Sequence, residues 1–372
     1  MLDKSIMLTS FFAFALALAL SFGATPLVRR LAKKIGAVDV PKDGRRMHKV
    51  PIPRIGGLAI FGGFLVSTLI FVPLDGENKA ILIGALLIVA LGVVDDIVAL
   101  KASVKLAGQL AAALIPAFSG VVIARFGNPF AAGEYINLGV FAIPVTVIWI
   151  VGMTNAVNFI DGLDGLACGV SSIACITMFT IAILLREPDI TVLMAALAGG
   201  CLGFLPFNMN PAKIFMGDTG AMFLGYIFAT VSVQGLFKFY AVISFAVPFI
   251  MLGLPIFDML FAIVRRVLRG QSPMHADRGH LHHKLIDMGF DQKQSVAILY
   301  VLSLVLGMAA VILTASGETM VIFLVLAILI SFLIGMTVMT HERRAAAEKE
   351  KKEQKEQEKE RENTEERETD DE

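Results

Sequence analysis

The sequence predicts an all-α, polytopic integral membrane protein with about eleven transmembrane helices, and three observations carry that prediction. Hydrophobic residues make up 56% of the 372-residue chain and charged residues only 17%, against about 45–50% and about 25% in soluble domains. The mean hydropathy is +0.75. The apolar residues also fall in runs near the roughly 20 residues that a helix needs to cross a bilayer. Inside lipid, such a run satisfies its own backbone only as a helix.

In order, the runs cover 5–26, 57–73, 80–94, 104–124, 138–153, 166–185, 190–207, 219–236, 240–264, 294–315 and 318–340. Several are short for a full crossing, and Gly or Pro interrupts some. The first is followed by the basic residues Arg29, Arg30, Lys33 and Lys34 rather than by a small-residue cleavage site, so it reads as a retained span. Lys and Arg counted in alternate loops number eighteen on one side and five on the other. The positive-inside rule puts the eighteen in the cytoplasm, the N-terminus outside and the C-terminus inside.

Residues 1–340 thus form the membrane body. Residues 341–372 differ abruptly, with nine basic and fourteen acidic side chains, and read as a charged cytoplasmic tail, either a helical extension or disordered. The net charge of zero is therefore the sum of a basic body and an acidic tail. Cys168, Cys175 and Cys201 lie in apolar runs without disulfide or metal-site spacing and read as small buried side chains. No internal repeat of the kind found in many secondary transporters is visible.

Polar groups at membrane depth are costly, so those at the ends of spans call for an explanation. Five clusters occur: the basic loop with His48 and Arg54, the pair Asp95-Asp96, Asn155 to Asp164, Asn208 to Asp218, and Arg265 to His283. By the span count all five emerge on the cytoplasmic side, which predicts an active site at one membrane face rather than a conducting pathway.

Asp95 and Asp96 leave an apolar helix together and either face water or are answered by a cation or donors; Lys101 and Lys105 follow closely. Asn155, Asn158, Asp161 and Asp164 recur every three residues, a polar face if helical, and Gly162 and Gly165 permit a turn. The spacing is not that of an EF-hand, and such hard oxygen donors suit Mg²⁺ or sugar hydroxyls. In Gly217-Asp218-Thr219-Gly220, at the start of the eighth run, Asp218 serves equally well as a helix N-cap or as a metal ligand beside an anion. His275, His280, His282 and His283 crowd together with Arg278 and Lys284 and no cysteine, which favours a phosphate or nucleotide pocket over a zinc site.

Taken in order, Pro53-Arg54-Ile55-Gly56-Gly57, Asp95-Asp96, Asn155 to Gly165, Gly217 to Gly220 and His275 to His283 resemble the motifs of the polyprenyl-phosphate N-acetylhexosamine-1-phosphate transferases, over residues 27 to 293. The resemblance implies a multi-span helical membrane enzyme dependent on Mg²⁺ (or Mn²⁺). It would move N-acetylglucosamine 1-phosphate from UDP-GlcNAc to undecaprenyl phosphate, releasing UMP at the cytoplasmic face of a bacterial cell membrane. The loop Asp277 to His283 is similar to that of the UDP-GlcNAc branch, above all to the enzymes that begin wall teichoic acid or similar envelope polymers. Phospho-MurNAc-pentapeptide transferases typically carry Thr-Met-Gly-Gly where this chain has Arg54-Ile55-Gly56-Gly57.

Residue by residue, the resemblance implies that Asp218 is the principal metal ligand, with Asn158 assisting. Asp95, Asp96, Lys105, Asp161 and Asp164 would be catalytic. Asn155, Asn158, Arg54, His48, Arg278, His280, His282 and His283 would bind substrate. Three other readings stand beside this one: the peptidoglycan enzyme of the same family, a transporter of an anionic precursor, and a non-catalytic scaffold. A homodimer and a protein partner for the tail stay open, and nothing points to nucleic acid.

Overall fold

A computed structural model of the chain describes residues 4–40, 50–127, 135–236, 243–268, 270 and 280–316. His48, Arg278, the run 318–340 and the tail lie outside these residues. Among the described residues the chain is helical almost throughout. Six helices are long and apolar enough to cross a membrane, and two shorter apolar ones, Gly57–Phe71 and Ala102–Phe118, accompany them. The protein is an all-α, polytopic membrane protein.

Helix α1 (Lys4–Ile35) is longer than the run 5–26 and takes in the basic residues that follow it. It buries Ala13, Ala17, Ser21 and Thr25 at a strict four-residue spacing. This seam of small side chains lets neighbouring backbones approach closely. Ser21 Oγ donates to the Gly200 carbonyl at 2.7 Å, and Ser67 Oγ donates to the Ala13 carbonyl at 2.7 Å. Those bonds fasten α1 to α2 (Gly57–Phe71) and α7 (Pro188–Asn208). Phe11, Phe12, Phe22 and Leu27 point outward, as side chains facing lipid would.

The next elements are α3 (Gly76–Val98), α4 (Ala102–Phe118), α5 (Ala142–Phe159) and α6 (Leu166–Leu185). Helix α8 (Gly217–Val231) follows α7 and passes into a single π turn, Ser232–Leu236. Every residue from Thr219 to Val231 is buried. A helix apolar on all sides belongs at the centre of a bundle, and α8 packs there against α2, α3 and α5. Its approach to α2 is tight: a Cβ on Gly57 would collide with the Gly220 backbone. The glycines of the two motifs thus let the first turns of α2 and α8 touch.

Two findings depart from the sequence reading. The run 240–264 is two helices, α9 (Ile243–Met251) and α10 (Gly253–Leu268). Pro255 has no N–H to offer the Met251 carbonyl, so one helical bond is missing where α9 gives way to α10. Two short antiparallel strand pairs also occur, β1 (Val38–Asp39) with β2 (Ile52–Pro53), and β3 (Arg125–Gly127) with β4 (Tyr135–Asn137). The described residues end with α11 (Leu281–Asp287) and α12 (Gln292–Ser316).

Candidate active site

The site lies where the C-terminal ends of α3 and α5 meet the N-terminal ends of α2, α4 and α8. The turn before α8 sets its geometry. The N–H of Gly56 donates to the Phe215 carbonyl and that of Gly57 to the Met216 carbonyl, both at 2.9 Å, while Phe215 donates to the Pro53 carbonyl at 2.8 Å. This pairing holds Arg54 beside the start of α8. Gly217 follows with φ +71, and a Cβ there would strike the Arg54 carbonyl and the Asp96 carboxylate. Only glycine fits that backbone and that space.

Asp96, buried near the end of α3, caps α8 from a different helix. Its Oδ1 accepts from Arg54 Nε at 3.0 Å and from the Asp218 N–H at 3.1 Å. Its Oδ2 accepts from the Thr219 N–H at 3.0 Å and the Thr219 hydroxyl at 2.7 Å. Both oxygens are engaged by donors that fix the first turn of α8. The Asp218 side chain is therefore released from capping. Its Oδ2 pairs with Lys105 Nζ at 2.5 Å and its Oδ1 accepts from Asn158 Nδ2 at 2.9 Å. Lys105 also pairs with Asp95 Oδ2 at 2.7 Å, and Asp95 Oδ1 accepts from the Leu100 N–H at 2.7 Å. One ammonium group thus bridges α3 and α8.

A cavity of about 530 Å³ opens beside this cluster, walled by Arg54, Asp161, Asp164, Asn208, Asp218 and His283 among others. That volume suits a ligand the size of a drug or nucleotide. Burial pushes the Asp161 carboxyl up to about 8, and the charges of Asp218 and Asp96 add to the shift. Asp164 has a local task as well: its Oδ2 accepts from Asn210 Nδ2 at 3.0 Å and from the Ala212 N–H at 2.9 Å. Asn210 in turn donates to Gln292 at 2.9 Å, which ties α12 to the cavity wall.

Asn155 is placed elsewhere. It exchanges amide hydrogen bonds with Gln109 of α4, at 2.7 and 3.3 Å, and donates to the Val151 carbonyl at 2.8 Å. Replacing it with Ala should strand the buried Gln109 amide, a cost of about 1–3 kcal/mol. The expected result is a lower thermal midpoint in detergent with an unchanged donor KM. A raised donor KM at an unchanged midpoint would return Asn155 to the binding site.

Of the histidines in the described residues, His283 reaches the cavity, while His280 and His282 are buried behind it. Burial and the neighbouring His283 lower His282 to about 3, so it is neutral. Sequence reasoning named Asn208 and Thr219 only as members of their clusters, without a role, and did not single out Asn210, Gln109 or Asp258. Gln109 and Asp258 each carried a signal, a polar side chain inside an apolar run.

The side chains of the Asp218 cluster are the candidate donors for a divalent cation. Among the described residues, Asp95, Asp96 and Asp218 pair with Lys105 and Arg54, and Asp161 stands within reach of the charges of Asp218 and Asp96. Among the described residues, no three His, Cys, Asp or Glu side chains form a ready-made metal cluster. Such a site fits Mg²⁺, which typically takes one or two carboxylates and completes its shell with phosphate oxygens and water. Asp218, with Asn158 beside it, would hold the ion.

Known proteins resemble this chain over most of its length. The model of glycosyl transferase family 4 matches residues 79–236, which contain every helix from most of α3 through α8. The "Probable undecaprenyl-phosphate N-acetylglucosaminyl 1-phosphate transferase" of Bacillus subtilis is 40% identical over 331 residues, 89% of this chain and 92% of its own. The chain belongs to glycosyl transferase family 4. Other relatives in the family include the decaprenyl-phosphate N-acetylglucosaminephosphotransferase of Mycobacterium tuberculosis, 35% identical over 76% of each chain. The phospho-N-acetylmuramoyl-pentapeptide-transferase of a Thermoanaerobacter species is 38% identical over 63% of this chain and 76% of its own. The family 4 match begins after Arg54 and ends before Asp258 and the histidines.

Proposed function

We propose that this chain transfers N-acetylglucosamine 1-phosphate from UDP-GlcNAc to undecaprenyl phosphate, giving undecaprenyl-pyrophosphoryl-GlcNAc and UMP. The observation that carries this reading is Asp218, held by Lys105 and Asn158 on the wall of the cavity with Arg54 alongside. A carboxylate at the N-terminus of a buried helix, flanked by two cations, suits a pyrophosphate and its counter-ion. The names of the Bacillus and Mycobacterium relatives supply the sugar and the lipid class.

The chemical problem is to bring two anions within bonding distance. Bound Mg²⁺ would neutralise the donor pyrophosphate and polarise its β-phosphorus. Arg54 on the cavity wall and Lys105, paired with Asp218, answer the remaining charge. The lipid phosphate is already ionised near neutral pH, so direct in-line attack needs no strong base. Asp95 favours this route over a carboxyl-phosphate intermediate, because its two oxygens hold Lys105 and the Leu100 N–H. Asp161 and Asp164 would position the nucleotide sugar at the cavity wall.

In this reading the site faces the cytoplasm of a bacterial cell membrane, as the basic loops favour, and the product begins an envelope polymer such as wall teichoic acid. Purified protein in detergent with UDP-GlcNAc, undecaprenyl phosphate and Mg²⁺ should release UMP, and chelation by EDTA should stop it. A preference for UDP-MurNAc-pentapeptide in the same assay would move the chain to the peptidoglycan branch. Activity that survives EDTA would remove the metal.

A further inference from the structure

Asp258 lies outside the catalytic cluster, yet it is buried and both of its oxygens are engaged. It shares the inner face of α10 with Ala262 and Arg266, four and eight residues on, while Leu260, Phe261, Val264 and Val267 point outward. Its Oδ1 accepts from the Leu281 N–H at 2.7 Å, which anchors the start of α11. Its Oδ2 lies 2.9 Å from His280 Nδ1. The His280 ring then packs near Phe159 at 5.5 Å and runs parallel to His282 at 5.8 Å, with 4° between the planes. The His282 ring lies over Gly162, where a Cβ would strike it, and contacts the His283 ring at 4.3 Å between centroids. Only His283 of this stack lines the cavity. A continuous chain of contacts therefore runs from Asp258 through three imidazoles to the cavity wall.

We infer that Asp258 is a positioning residue for the donor: through His280 it sets the His280–His282–His283 stack and so fixes the cavity wall that the donor meets. A carboxylate on one ring nitrogen fixes both the tautomer and the ring plane of a histidine. Arg266 braces the same arrangement from α10, with its guanidinium 5.6 Å over the Phe159 ring, next to Asn158 in the chain. The effect falls on the donor rather than the lipid acceptor, because the stack ends on the wall shared with Asp161, Asp164 and Arg54.

The inference rests on the proposed transferase reading, and the experiment separates the two. Asp258→Asn retains an amide oxygen for the Leu281 N–H but disturbs the bond to His280. His280→Gln breaks the same pair from the other side while Asp258 still anchors α11. Each variant is expected to raise the KM for UDP-GlcNAc about tenfold, with kcat and the KM for undecaprenyl phosphate little changed. The double variant should be no worse than either single one. An unchanged donor KM in a folded variant, a fall in kcat alone, or loss of folding in both variants would overturn the positioning role. Wild-type protein that releases no UMP would instead overturn the transferase reading. In that case the rise in melting temperature caused by UDP still tests Asp258: a smaller rise in both variants supports it, and an equal rise, or none in the wild type, overturns it.

Discussion

Asp218→Asn is expected to lower kcat by at least about a hundredfold while the protein stays folded, since removing preorganised electrostatic groups at a reacting centre commonly has that effect. The substitution keeps the size of the side chain and an acceptor for Asn158. Lys105 retains its pairing with Asp95 at 2.7 Å. What disappears is the negative charge that the proposed Mg²⁺ requires. Turnover and its Mg²⁺ dependence, measured beside gel filtration in detergent, check the prediction. Near-normal kcat with an unshifted Mg²⁺ dependence would take Asp218 out of the metal site.

Asp96→Ala should fail differently. It removes the acceptor for Arg54, for the Asp218 and Thr219 N–H groups and for the Thr219 hydroxyl at once. Breaking one side of a buried, hydrogen-bonded charge pair typically costs about 3–5 kcal/mol. The expected result is a marked fall in thermal midpoint together with lost turnover, because the first turn of α8 and Asp218 move together. Lost turnover at an unchanged midpoint would mark Asp96 as a proton acceptor or ligand rather than a cap.

The difference between these two aspartates shows where the sequence was legible. The i, i+3 series from Asn155 to Asp164, the Asp95-Asp96 pair and the Gly217 to Gly220 turn are local patterns, and polar side chains at the ends of apolar runs announce themselves. The sequence leaves open whether Asp218 caps its own helix; the structure decides it, because the cap arrives from Asp96, 122 residues away. Asn155 follows the same three-residue pattern as its neighbours, yet one helical turn is enough to aim it at Gln109 on α4. A face read from spacing alone does not say which neighbour it meets.

Asp258 was visible in the sequence as an isolated acid, but its role was not. It sits alone in an apolar run, and its partners His280 and Leu281 are more than twenty residues away. The break between α9 and α10 was also obscured, since an apolar run around Pro255 reads as one span until the missing N–H is placed in a helix. The helical membrane body itself was plain from composition, because lipid leaves the backbone so few alternatives.

In the proposed reaction the bond broken lies between the two phosphorus atoms of the donor, and labelled phosphorus shows which bond breaks. Wild-type protein is incubated with undecaprenyl phosphate, Mg²⁺ and UDP-GlcNAc carrying ³²P only at the β-phosphate, and the lipid and aqueous phases are then separated. Transfer of the sugar phosphate predicts label in the lipid phase and unlabelled UMP in water, in equal amounts. Label remaining in water as UDP, with unlabelled sugar on the lipid, would mean attack at the sugar carbon and would rule out transfer of the sugar phosphate.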